Sequence, residues 1–167
     1  MPASDRAIVR RSSWAVLIAL AAACLVARPG AQPADRVTIT IPAAVGFAVT
    51  NVAAATTGAP NPTSVSFSRL RVGGGQVLRI SVRADSDFVP PSGTAIPASR
   101  VSWTTSAASN GTGSSGTLST TVYRQVFQSA NGKNNGSVDV RWTLAAPGTP
   151  LRAGQHRLTV RWRLEAF

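Results

Sequence analysis

Val138-Asp139-Val140-Arg141-Trp142-Thr143-Leu144 and, 20 residues further on, Leu158-Thr159-Val160-Arg161-Trp162-Arg163-Leu164 both place an apolar side chain at every second position. A strand turns successive side chains to opposite faces, so each stretch has one aliphatic and aromatic face and one polar face, the pattern of a half-buried strand. Between them lies Ala145-Ala146-Pro147-Gly148-Thr149-Pro150, whose prolines cannot donate to a ladder and mark a connection outside any central strand.

The same period extends toward the N-terminus. Leu78, Ile80, Val82 and Ala84 alternate with Arg79, Ser81 and Arg83, and Arg100-Val101-Ser102-Trp103-Thr104-Thr105 repeats the scheme. Further strands are expected at Val122 to Phe127, at Arg36-Val37-Thr38-Ile39-Thr40-Ile41 before Pro42, at Phe47-Ala48-Val49-Thr50, and around Val65 and Phe67. Turn signals separate them: Gly73-Gly74-Gly75, Pro90-Pro91-Ser92-Gly93, a Ser/Gly-rich connection over residues 106–116 containing Asn110-Gly111, and the run from Asn131 to Gly136. No stretch shows a helical period. The expectation is an all-β fold, a two-sheet immunoglobulin-like antiparallel sandwich of about 8–9 short strands, with a closed barrel as the alternative topology.

The chain has 167 residues, 44% hydrophobic and only 14% charged, with a net charge of +11. That is one ordinary domain, too short for a multidomain enzyme and unlike a coiled coil or collagen. Its N-terminus reads as processing rather than structure. Arg6, Arg10 and Arg11 form a basic head before an uncharged apolar run over residues 14–26, the layout of a secretory signal peptide cleaved near Ala31. Residues 1–31 are thus the expected signal peptide and 32–167 a single β-sandwich domain, exported to the periplasm, the cell surface or the medium. Ala21-Ala22-Ala23-Cys24 loosely resembles a lipobox, which would make Cys24 a lipid anchor, although the apolar run continues past it. No later stretch reaches the roughly 20 apolar residues of a transmembrane helix. Cys24 is the only cysteine, so the processed domain must stand without a disulfide.

The inventory of reactive side chains is thin. One histidine, His156, and no cysteine after processing leave little for nucleophile and base catalysis. Asp85-Ser86-Asp87 is the one close carboxylate pair; it suits a weak calcium site or, equally, a turn cap with Arg83 or Arg100 as counter-ion. Metal-ligand clusters, dinucleotide fingerprints and phosphate loops are missing from the sequence, and Gly73-Gly74-Gly75 lacks the Lys-Ser/Thr that would make it one. The expectation is a non-catalytic protein without cofactor.

Arginine is the distinctive residue. Arg79, Arg83, Arg141, Arg157, Arg161 and Arg163 all fall on the polar phase of their strands, and residues 32–167 keep 13 Lys+Arg against 5 Asp+Glu. Cations facing one another across strands cost stability that an anion would relieve, while a purely protective role against edge pairing is the plainer explanation. As an anion-binding face the six would suit acidic cell-surface polymer. Specific nucleic-acid binding is not expected, because Trp103, Trp142 and Trp162 fall on the apolar phase and leave no stacking platform among the arginines.

Trp142-Thr143-Leu144 and Trp162-Arg163-Leu164 resemble the paired W-x-L motifs of WxL-type bacterial cell-surface domains. Ile96-Pro97-Ala98-Ser99-Arg100-Val101-Ser102-Trp103 and Ala153-Gly154 are similar to small exported all-β bacterial proteins without an assigned activity. The resemblance covers Phe67 to Phe167 and implies association with peptidoglycan or another envelope polymer; the chain departs from it in ending at Glu165-Ala166-Phe167, without the family's polar tail. The expected function is an envelope-associated or adhesion-type module. The alternative is a fibre subunit that joins like subunits by strand exchange, as chaperone-usher pilins do, with residues 37–41 or 158–164 as donor or acceptor.

Overall fold

Alternation becomes strand where at least one main-chain edge finds a partner. The computed structural model describes residues 38–69, 75–90, 93–148 and 154–167. These carry ten strands: β1 (Thr38–Thr40), β2 (Thr56–Thr57), β3 (Thr63–Ser68), β4 (Leu78–Ala84), β5 (Val101–Ser109), β6 (Gly111–Gly113), β7 (Gly116–Thr117), β8 (Arg124–Ser129), β9 (Gly136–Leu144) and β10 (Val160–Ala166). The only helical element among them is a single 3-10 turn at Ala98–Arg100. The expected signal peptide, its cleavage near Ala31 and the Cys24 anchor lie outside the described residues.

The fold is all-β, with two antiparallel sheets. One runs β1-β3-β9-β5-β7, with β2 also paired to β9, and the other runs β10-β4-β8-β6. From β3 to β10 the chain changes sheet at every step. The apolar phases of both sheets meet in one hydrophobic core, sandwich-like, in which Val65, Ile80, Val82, Val126, Val138 and Val140 are buried. Phe67 of β3 and Phe127 of β8 join the two layers with ring centroids 6.1 Å apart.

The core is organised by indoles. Trp103 of β5 and Trp142 of β9 are direct cross-strand neighbours with centroids 5.6 Å apart, and Trp162 of β10 meets Trp142 edge-on at 6.4 Å from the other sheet. Buried indole N–H groups need acceptors. Trp103 Nε1 donates to the Ser114 carbonyl at 2.7 Å, and Trp142 Nε1 donates to Thr63 Oγ1 at 2.9 Å. The Thr63 hydroxyl in turn donates to the Val140 carbonyl at 3.1 Å. Gly116 lies flat on Trp103; a Cβ there would sit 2.7 Å from the ring, so no larger residue fits without displacing the indole.

Three local expectations are corrected. Phe47-Ala48-Val49-Thr50 forms no strand; pairing there shrinks to one bridge, Gly46 with Ala59. In that antiparallel register residues 47–50 would face residues 58–55, of which only Thr56–Thr57 is strand, and its partner is β9. Residues 106–116 are not merely a connection: β5 runs on to Ser109, Asn110 takes a left-handed turn at φ 51°, and β6 and β7 follow. Asparagine tolerates that conformation, and the small residues serve close packing against Phe127 and Thr105 rather than flexibility. Finally, Ser81 keeps the outer phase of β4, opposite Arg163, but is buried there rather than exposed.

Candidate functional site

On the outer face of the second sheet, β4 and β10 place Arg83 directly opposite Arg161, Ser81 opposite Arg163 and Arg79 opposite Glu165. Two guanidinium groups paired across strands repel, so something must hold them. Asp85 does: Arg161 Nε donates to its Oδ1 at 2.5 Å, and Arg83 lies 3.8 Å from the same oxygen. That hydrogen bond, and then the carboxylate charge, raise the Arg161 pKa above its already high ordinary value.

Aromatic rings order the rest. Tyr123, just before β8, has Arg163 at 4.4 Å and Arg83 at 5.1 Å from its ring centroid, and Arg79 lies 4.3 Å from the ring centroid of Phe167. Arginine prefers such faces because its planar cation is weakly hydrated, and stacking leaves the in-plane N–H donors free to point elsewhere. The Nε atoms of Arg79 and Arg83 are buried without a hydrogen-bond partner among the described residues. Arg163 also pairs with Glu165 at 3.0 Å. The result is four guanidinium groups against two carboxylates, Asp85 and Glu165, on one face. Chemically it can offer fixed, forked donors to carboxylate, sulfate or phosphate groups.

Two of the six arginines expected to share this face do not. Arg141 lies on β9 in the first sheet, opposite Thr104. Arg157 lies before β10, where its backbone bridges to Val89 and its Nη2 donates to Gln155 Oε1 at 3.0 Å. Phase along a strand reports which face a residue takes, but not which sheet carries the strand. Asp85 and Asp87 also part company: Asp85 turns to the arginines, while Asp87 Oδ1 accepts the Ala98 N–H at 2.8 Å and fixes the 3-10 turn. Protein donors thus engage both members of the weak calcium candidate. Among the described residues no three His, Cys, Asp or Glu side chains group to hold a metal. His156 is half-buried before β10.

Sequence reasoning missed Tyr123 and Phe167. An aromatic residue within a few positions of an arginine strand was the available signal, but Tyr123 precedes the strand it serves and Phe167 follows the last one. A cleft of about 640 Å³ is lined by Asp87, Ser99, Ser115, Thr117, Thr120 and Arg124. Scans of family models, curated proteins and solved structures return no match to the chain. No helix among the described residues is long and apolar enough to cross a membrane.

Proposed function

We propose that this chain is an exported, non-catalytic envelope or adhesion module. Residues 1–31 are removed as a signal peptide, and the remainder, an immunoglobulin-like sandwich, holds anionic cell-surface polymer against the outer face of β4 and β10. The observation that carries this is the stack of Arg83 and Arg163 on Tyr123, with Arg161 beside it: cations are gathered and oriented at a cost in mutual repulsion. The likeness of the two W-x-L tripeptides to WxL-type domains points to the same class of partner, peptidoglycan or an acidic polysaccharide.

The test is retention of the purified protein on sacculi or an acidic polysaccharide resin. Retention falls as salt rises, because exposed charges are screened within about 10 Å at 0.1 M. Arg161→Ser lowers it sharply, while Arg141→Ser, which removes the same single charge from the other sheet, leaves it unchanged. Equal loss from both variants would mean that only net charge matters and would remove the site.

A fibre subunit is the second reading, favoured by β10 being an edge strand whose inward side chains are half-buried. Its mark is open-ended polymerisation, or solubility rescued by a supplied strand peptide.

A further inference from the structure

The main-chain bonds around β10 show which of its groups are spent. Phe167 N–H donates to the Val77 carbonyl at 3.2 Å, Val77 N–H donates to the Phe167 carbonyl at 3.0 Å, and Asp85 N–H donates to the Thr159 carbonyl at 2.9 Å. An antiparallel ladder alternates, so residues 159, 161, 163, 165 and 167 bond to β4 and its flanks, while Val160, Trp162, Leu164 and Ala166 aim their N–H and C=O groups at the free edge. No strand among the described residues takes that edge. The inward side chains of Val160, Trp162 and Leu164 are only half-buried, whereas their cross-strand neighbours Ala84, Val82 and Ile80 are all 0% exposed. Seven residues of regular, open strand are a template for another strand.

The outward charges select which strand fits. We propose that β10 pairs antiparallel with β10 of a second copy of this chain, about a two-fold axis through Leu164. In that register Leu164 faces Leu164 and Trp162 faces Ala166, all with their main-chain groups already turned outward. Arg163 of each copy then faces Glu165 of the other. These two charge pairs fall at the closer, non-hydrogen-bonded positions, where cross-strand side chains interact best. Sliding the pairing by one step sets Arg163 against Arg163 in one direction and Glu165 against Glu165 in the other, so charge fixes the register. Apolar phase meets apolar phase, Leu164 and Trp162 gain cover, and the four-stranded sheets join into one of eight strands. Pairing of one short strand makes a small interface, and hence a weak, concentration-dependent dimer. This arrangement is independent of polymer binding, but it would bring two arginine clusters onto the same side of one continuous sheet.

Sedimentation of the purified protein from about 10 µM to about 1 mM, with amide hydrogen exchange at both ends of that range, tests the pairing. Mass rises to that of a dimer and stops, while the amides of Trp162, Leu164 and Ala166 go from fast exchange to protected. Glu165→Arg weakens association about tenfold, since two attractive pairs become repulsive. The swap carrying both Arg163→Glu and Glu165→Arg restores it, which separates charge pairing from damage to the fold. A monomer throughout, a mass that grows without limit, edge amides protected at the lowest concentration, or a swap no better than Glu165→Arg would each overturn the pairing. The second of these would indicate head-to-tail strand exchange, and the third that another part of the same chain covers the edge.

Discussion

β9 and β10 carry nearly the same sequence pattern and meet opposite fates. On β9, Val138, Val140, Trp142 and Leu144 are at most 5% exposed; on β10, Val160, Trp162 and Leu164 remain half-buried. The side chains do not differ enough to explain this. What differs is position: β9 sits in the middle of its sheet, between β3 and β5, and β10 sits at the rim of the other with β4 alone beside it. A period of two reports that a strand has an apolar face, and says nothing of how completely that face is covered. Coverage comes from neighbours, which are assigned by topology.

The comparison is broken most directly at the two tryptophans. Trp142→Ala removes a buried indole and the donor to Thr63 Oγ1, costing about 4 kcal/mol. Trp162→Ala removes a less completely buried indole and should cost less, about 2 kcal/mol. Urea unfolding of both variants checks this, and equal midpoints would mean that the edge is as well covered as the centre. Gly116→Ala comes next. Its methyl group would press into Trp103, and overpacking of that kind costs about 1–3 kcal/mol in the same assay. Thr63→Val keeps the shape but takes away the acceptor of the Trp142 indole, a loss of about 1–2 kcal/mol that a β10 residue of equal size should not match.

The smallest effect on stability is expected at the charged face of β10. Arg161→Ser should leave the melting temperature within error, because an exposed ion pair adds little, yet it should lower polymer retention. Retention on polymer should also hold from pH 7 to about pH 10. Arginine stays protonated there, and Asp85 raises the pKa of Arg161 further, so its proton is lost only above that window. A steep fall across it would mean that arginine is not the contact.

Alternation made the all-β class, the inward tryptophans and the outward arginines of β4 and β10 legible before any coordinates. Phe47, by contrast, has the strand period but no ladder: the strand opposite, Thr56–Thr57, is paired to β9, and which partner a segment finds is set by topology rather than by period. Ser109 to Gly113 reads as a linker by composition and is strand, because small residues serve close approach as well as they serve flexibility. For the candidate site, phase put the arginines on the outer faces of their strands and could not tell which of them share a sheet. Arg141 has the same phase as Arg161 and belongs to the opposite sheet, while Tyr123 joins the cluster only through the placement of β8 beside β4.

The repeated crossing between sheets also bears on how the chain reaches this state. With β4 separated from its neighbours β8 and β10 by dozens of residues, and β9 likewise from β3, few ladders can close as local hairpins. Long loops must lose their entropy before the contacts that reward them exist, which places refolding in the slow, millisecond-to-second regime of non-local β proteins. During that interval β10, the last of the described strands, would wait with its tryptophan unshielded until β4 is in place to receive it.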